Sequence, residues 1–360
     1  MEILNNFINT NSELVEKMKK CSYHYDENDL NLHHLEGDVW SHTKISYQNT
    51  IQYNTSIYVK WAILLHDIGR VLTRQENTEE AYVSFGDFEG VSIFMSIDIL
   101  NKTNLSEIEK VRILKIISYH YMIIDYIKYN KPSKGKLLRV FKYEEELLKD
   151  LSHYVRCDLL GRVIDESKTH LYDVKKMNDF ITYTQGIQNK NKNIKDKKNT
   201  VTILVGPPCS KKSFWANENK NNAIVINRDS CVEEIGRKYL KYSYDEAYYF
   251  MKDHKSIKKE VDNLDEDRED YAKNSENMDI IIDNPNLSVK NRKEWVDAFR
   301  ETHIIKVIVF LSPLDEIMKC NKNRGKEINK NVSKRELLNK LKTFVFPLLN
   351  EGIDYVEYST

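Results

Sequence analysis

A strand-like run that ends directly in a phosphate-loop spacing constrains the fold of this chain more than any other feature in it. VTILVG (201–206) reads as a buried strand, and GPPCSKKS (Gly206 to Ser213) follows it without a break. A strand that runs into a tight loop, with a helix starting at once, is built to hold an anion. The free N–H groups and the dipole at the helix N-terminus favour phosphate. Further β-branched runs, AIVIN (223–227), MDIIID (278–283) and HIIKVIVFL (303–311), alternate with helical patterns. That alternation predicts a parallel sheet covered on both faces.

Upstream the texture differs. Apolar residues recur at three- and four-residue steps through 57–72, 91–100, 107–124 and 144–164, with turn-prone breaks such as TRQEN and no alternating strand pattern. Between the two textures lies GIQNKNKNIKDKKN (186–199), too polar to repay the entropy of ordering it. The expected architecture is therefore multidomain: an all-α domain over 1–185, a linker over 186–199, and an α/β P-loop domain with a parallel sheet over 200–360. A length of 360 residues suits two domains.

Composition narrows the setting. No apolar run approaches the roughly 20 residues that cross a bilayer, and the first residues lack a basic-then-apolar secretory pattern. The five cysteines are scattered with no CxxC pair, which argues against a disulfide framework or a cysteine zinc site. A cytoplasmic protein with no membrane partner is the expectation. Lys plus Arg equals Asp plus Glu at 55 each, so any contact with nucleic acid must come from local patches. Residues 319–342 hold such a patch, nine Lys or Arg against two acids, whereas EVDNLDEDRED (260–270) reads as a solvated helix face.

Candidate chemistry in the C-terminal half begins with Gly206, Ser210, Lys211, Lys212 and Ser213 around a nucleoside triphosphate. Lys212 would bridge the β- and γ-phosphates, and the Ser213 hydroxyl would hold Mg²⁺. Lys211 stands where the pattern usually has glycine, and a left-handed backbone there costs about 1–2 kcal/mol. Asp229 (in INRDS) and Asp283 (in DNPNLSVKNRKEW) follow the next two strands, at the strand ends where α/β proteins place their ligand crevice. A carboxylate there can take the proton of a hydroxyl nucleophile, although aspartate at that place also makes a good helix N-cap. Arg324, in EIMKCNKNRGKE, reads as part of a flexible basic loop able to reach the transferring phosphate.

In the N-terminal half, WAILLHDIGR (61–70) sets His66 and Asp67 side by side at the end of an apolar helix. His42 (VWSHT), His120 (IISYHY) and Asp158 (YVRCDLLGRV) lie on other helical segments. Imidazoles and carboxylates from several helices can converge on one divalent metal. Singly, His42 or His120 reads more readily as a satisfied core or surface histidine, and Asp158 as a cap or ion-pair partner. His24, His33 and His34 read as surface residues.

Two resemblances sharpen these readings. Residues 200–350 or so resemble the kinase domain of the phage-type polynucleotide kinase family, on the phosphate loop, the NRD segment, a D-x-N-L-like segment followed by an arginine and a tryptophan, and the arginine–glycine lid. The resemblance implies that Asp229 is the general base on a 5′-hydroxyl, that Arg324 contacts the transferring phosphate and that Asp283 is a supporting carboxylate. The family usually has an arginine three residues after the catalytic aspartate, where this chain has Val232. Residues 35–165 or so look like the HD-domain phosphohydrolase superfamily in its HDIG[K/R] form. That implies His42, His66, Asp67 and Asp158 as ligands of a divalent transition metal such as Mn²⁺, which activates water against phosphorus. It also implies His120 as a ligand of a second metal, with Asp87 of SFGDFEGVS where a glycine–histidine pair is usual.

In this order the halves resemble the HD-Pnk type of bifunctional RNA end-healing enzyme. Such an enzyme uses ATP or another NTP with Mg²⁺ to phosphorylate 5′-hydroxyl ends. It removes 2′,3′-cyclic, 2′- or 3′-phosphate ends with metal. The implied substrates are RNA ends, with DNA left open, and a separate RNA ligase is the implied partner. Two alternatives stay open: an HD nucleotide phosphohydrolase joined to a P-loop small-molecule kinase, or one joined to an ATP-sensing regulatory domain.

Overall fold

The computed structural model describes residues 2–359 except Asn189, Lys195, Asp196, Glu276, Ile328, Asn329 and Asn331, so three linker positions lie outside the described residues. The chain divides into two compact units, Met1–Asn191 with Phe344–Phe346, and Lys192–Thr343 with Pro347–Thr360.

The first unit is helical: α1 (Glu2–Thr10), α2 (Ser12–Lys20), α3 (Val39–Gln52), α4 (Ile57–Leu65), α5 (Arg70–Thr73), α6 (Glu89–Asn101), α7 (Glu107–Tyr129), α8 (Lys134–Val140), α9 (Glu145–Leu159) and α10 (Val174–Gln185). Its organising element is α4. The run WAILL is buried on every side, so the C-terminal half of α4 has no solvent face to present and lies at the centre of the bundle. It packs against α3, α6, α7 and α9, and its C-terminal end delivers His66 and Asp67 to the interior. Local signals set the helix starts. Asp38 accepts a hydrogen bond from the Ser41 amide to begin α3, Ser56 caps α4, and Ser106 with Glu109 forms a capping box on α7. One feature departs from the all-helical expectation. β1 (Gln75–Asn77) and β2 (Tyr82–Ser84) pair antiparallel, in the region read from sequence as a break. Three-residue strands, partly exposed, are too short to print a period-2 pattern.

The second unit carries a five-stranded parallel sheet in the order β4-β5-β3-β6-β7, built from β3 (Asn199–Val205), β4 (Ile224–Ile226), β5 (Ile280–Ile282), β6 (His303–Phe310) and β7 (Tyr355–Ser359). β3 lies at its centre, with Val201 in register with Ile280 on one side and Ile305 on the other. The helices are α11 (Lys212–Asn219), α12 (Arg228–Lys238), α13 (Tyr244–Asp253), α14 (Lys255–Lys273), α15 (Val289–Phe299), α16 (Leu314–Glu327) and α17 (Lys334–Lys342). Because β3 is flanked by the later strands β5 and β6, the loops leaving β3, β4 and β5 open at the same end of the sheet. That switch point is where an α/β sheet leaves a crevice. Among the described residues no helix is long and apolar enough to cross a membrane.

Two local expectations are corrected. Arg324 lies within helix α16, not in a loop, because the helical pattern from Leu314 continues through it. The acidic stretch of α14 is only partly a solvated face: Asp265 is buried and holds Arg228 at 2.7 Å, and Asp262 binds the same guanidinium. A run of acids hides an inward-facing member when an arginine from another helix meets it.

Candidate functional site

In the second unit the phosphate loop is held in an anion-cradling shape. Cys209 and Lys211 both adopt positive φ, 65° and 69°. Such alternation turns successive amides inward. The position where glycine is usual does require the left-handed region, so Lys211 carries the cost anticipated from sequence. Gly206 closes the end of β3, where an added Cβ would stand 2.6 Å from Ser210 Oγ and 3.1 Å from Phe310 Cβ. Lys212 opens α11, and its Nζ donates to the Pro207 carbonyl at 2.8 Å and to Ser210 Oγ at 3.4 Å. Burial is the main cause that pulls the Lys212 ammonium down to about 8, a state that a bound polyphosphate would reverse.

The Ser213 side chain stands beside Asp283 and opposes the rise of its pKa, and Asp283 Oδ2 accepts from Asn227 Nδ2 at 2.6 Å. Burial raises the Asp283 pKa, while its Oδ1 is buried with no hydrogen-bond partner. A hydroxyl beside a carboxylate with an orphaned oxygen, at the mouth of a phosphate loop, is a donor set that fits Mg²⁺.

Asp229 is the second residue of α12, not its cap. Asn227 performs that task, accepting from the Ser230 amide at 3.0 Å. Both Asp229 oxygens are engaged: Oδ2 lies 2.7 Å from Lys330 Nζ, and Oδ1 accepts from the Tyr244 hydroxyl at 2.9 Å. The Lys330 ammonium also sits 3.7 Å from the Tyr244 ring centroid. Burial alone would raise the Asp229 pKa, but Lys330, Tyr244 and Arg324 together hold it below the ordinary carboxylate value. Arg324 Nε donates to the Lys330 carbonyl at 3.0 Å. The loop from Ser210 to Ser213, Asp229, Asp283, Arg324 and Lys330 line one cavity of about 360 Å³. The arrangement can hold a polyphosphate chain and present a carboxylate to an incoming hydroxyl.

Sequence reasoning missed Tyr244 and singled out Lys330 only as one lysine of a basic run. Tyr244 reaches Asp229 because α13 packs on α12, a fact of the fold with no local motif. The arginine of the D-x-N-L-like segment, Arg292, is fully buried and works structurally. It binds both Glu351 oxygens at 2.8 Å and the carbonyls of Asn286 and Leu287.

In the first unit His42, His66, Asp67 and Asp158 converge. His42 Nε2 lies 3.0 Å from Asp158 Oδ1, and His66 Nε2 lies 3.5 Å from the same oxygen and 3.3 Å from Asp67 Oδ1. All four are buried. His66 Nδ1 contacts the Ile63 carbonyl at 2.8 Å and His120 Nδ1 the Ile117 carbonyl at 2.7 Å, so each Nδ1 must carry the proton and each Nε2 is free to ligate. Asp67 Oδ1 makes no well-aligned hydrogen bond, although Arg70 Nε stands 2.8 Å away, and Asp67 Oδ2 accepts from the Tyr23 hydroxyl at 2.7 Å. Asp158 Oδ2 accepts from Arg162 Nη2 at 2.8 Å. Burial would raise both aspartates, but Arg70 and His66 beside Asp67, and Arg162 and His42 beside Asp158, hold them well below the carboxylate range. Facing Nε2 lone pairs and carboxylates, one with an orphaned oxygen, fit a divalent cation.

His120 borders this group with its ring 5.6 Å from that of His66, and burial lowers its pKa to about 3. Asp87 is exposed and joins no ligand cluster among the described residues. His34 is corrected. It is buried, stacks on Tyr23 with ring centroids 4.0 Å apart, and lies 2.7 Å from Glu36 Oε1. The same Glu36 oxygen stands 3.1 Å from His42 Nδ1, on the side of the ring away from Asp158.

A family model described as an AAA domain matches residues 201–347. No curated protein matches the chain. With the parallel sheet and the loop geometry above, residues 201–347 form a P-loop kinase-like nucleotide-binding domain.

Proposed function

We propose that the chain is a bifunctional end-healing enzyme that phosphorylates 5′-hydroxyl polynucleotide ends in its second unit and removes 2′,3′-cyclic, 2′- or 3′-phosphates in its first. The observation that carries the kinase half is that Asp229 shares one cavity with Lys212, Ser213 and Arg324. In the transfer, the acceptor oxygen attacks the γ-phosphorus of ATP as Asp229 takes the hydroxyl proton. The new O–P bond forms, the bond between γ-phosphorus and the β–γ bridging oxygen breaks, and ADP leaves. Lys212 and Arg324 supply cations for the charge spread over the peripheral oxygens. Ser213 and Asp283 would hold Mg²⁺, whose charge would neutralise the phosphates.

Support for the phosphohydrolase half is the convergence of His42, His66, Asp67 and Asp158. A divalent metal held there would supply Lewis-acid chemistry at phosphorus. Arg70 and Arg162 keep the two carboxylates ionised and oriented, and the Ile63 carbonyl fixes the His66 ring. Acting together, the two halves turn ends that cannot be joined into a 5′-phosphate and a free 3′-hydroxyl, the pair that a separate RNA ligase needs. A protein that only senses ATP has no use for a base facing the phosphate loop, which sets that alternative below this one.

The test uses 5′-hydroxyl RNA with ATP and Mg²⁺, comparing wild type with Lys212→Ala and Asp229→Ala. Transfer by wild type and its loss by more than about 100-fold in each variant is the expected result. No transfer by wild type to RNA, with transfer to a small alcohol or nucleoside, would favour the small-molecule alternative. Phosphate release from a 2′,3′-cyclic-phosphate RNA with Mn²⁺ should vanish in Asp67→Ala and survive in Lys212→Ala.

A further inference from the structure

A second cavity, of about 510 Å³, adjoins the nucleotide cavity in the second unit. Asp229, Tyr244, Tyr248, Asn284, Pro285 and Lys340 line both. The phosphate loop lines only the first, so the two cavities meet at the proposed base. A group entering through the second one meets Asp229 without passing the loop residues.

The lining of this second cavity is amphipathic in a specific way. Tyr248, Met251 and Trp295 give it aromatic and apolar surface, suited to the flat face of a nucleobase. Its charges are mostly spent. Asp229 is held by Lys330, Asp265 by Arg228 and Glu269 by Lys273, which leaves Glu294 as the remaining carboxylate. Of its two cations, Arg228 is committed to Asp262 and Asp265. Lys340, exposed on α17, makes no ion pair or side-chain hydrogen bond among the described residues. Val232, three residues after Asp229, lines this cavity as a buried apolar wall.

We propose that this cavity is the acceptor subsite and that Lys340 holds the phosphodiester immediately 3′ of the nucleoside whose 5′-hydroxyl meets Asp229. The proposal rests on the kinase reading and names its substrate class: a polynucleotide end, recognised through one base face and one backbone charge, not a free nucleoside or a sugar alcohol. The lysine supplies from α17 the charge that the Val232 wall lacks.

The experiment compares two 5′-hydroxyl oligonucleotides that differ only in the first linkage, a phosphodiester or an uncharged methylphosphonate. Acceptor kcat/KM is measured at saturating ATP for wild type, Lys340→Met and Lys340→Arg. Wild type should prefer the charged linkage by about 10-fold or more, the preference should collapse toward unity in Lys340→Met, and Lys340→Arg should keep most of it. Lys340 is exposed on a helix that methionine also favours, so folding is not at issue. If Lys340→Met retains the wild-type preference, or wild type shows none, the proposal fails while the kinase reading stands. If wild type phosphorylates neither oligonucleotide, both fall.

Discussion

Lys330 Nζ lies 2.7 Å from Asp229 Oδ2, and the Tyr244 hydroxyl occupies Oδ1, so the proposed base has no unengaged oxygen in this structure. Each oxygen then has one donor, and the second lone pair of each is left for the proton of an incoming hydroxyl. The γ-phosphate is the natural rival for Lys330, since Lys330 and Arg324 line the same cavity as the phosphate loop.

This pair sets a pH dependence. Lys330 is the main opponent of the burial that would raise the Asp229 pKa, and the net position lies below the ordinary carboxylate value. A general base with a lowered pKa is ionised down to correspondingly low pH, and acceptor kcat/KM is lost only as pH falls through that value. In Lys330→Met burial acts with less opposition and the pKa rises. The acidic limb of the profile should therefore move to higher pH, toward or above the ordinary carboxylate range. Profiles of wild type and variant with superimposable acidic limbs would remove Asp229 as the base.

The phosphate loop makes a stability prediction. Lys211 sits at φ 69°, where a side chain costs about 1 kcal/mol. Lys211→Gly should stabilise the second unit by roughly that amount, less the extra freedom glycine gives the unfolded chain. Lys211→Val, β-branched at positive φ, should destabilise it. Denaturant midpoints decide the matter, and a glycine variant less stable than wild type would mean that the Lys211 side chain contributes more than its backbone costs.

The histidine–aspartate cluster predicts metal binding readable without any turnover. Chain stripped by chelator and titrated with Mn²⁺ should take up metal in wild type and lose uptake in Asp67→Ala. Glu36→Gln tests the carboxylate 3.1 Å from His42 Nδ1. If Glu36 orients His42, affinity should fall about 10- to 100-fold with stoichiometry kept. Unchanged uptake in Asp67→Ala would break the metal reading outright.

What could be read from the sequence follows physical lines. β3, β5 and β6 were legible because interior strands of a covered parallel sheet run apolar, and the edge strand β4 because IVI is β-branched throughout, whereas β7 was not, since YVEYS mixes polar and apolar residues. His42, His66, Asp67 and Asp158 could be named because they fall on successive helical segments in the order His…His-Asp…Asp. His34, Glu36 and Tyr23 precede that pattern in a loop-like stretch, where polar residues ordinarily face water, and only the fold turns them inward. Asp229 was legible as a residue following a strand, but its partners were not. Tyr244 and Lys330 are 15 and 101 positions away in the chain, and nothing local marks either for that task.

Arg292 gives the last prediction. Its guanidinium is wholly buried, binds both Glu351 oxygens at 2.8 Å, and donates to the carbonyls of Asn286 and Leu287. Those carbonyls belong to the turn that follows Asp283, and Asn286 in turn ties the turn to the Leu204 carbonyl at the end of β3. Removing the arginine leaves a nearly buried carboxylate and two carbonyls without their donor, which costs about 3–5 kcal/mol. Arg292→Met should therefore lower the denaturant midpoint of the second unit sharply. Replacing both partners removes the uncompensated charge, so Arg292→Met with Glu351→Leu should recover part of the loss, short of the carbonyl bonds that stay unmade. Additive losses in the double variant would show that Glu351 acts through the Leu348 amide it also accepts from at 3.0 Å, and not through Arg292.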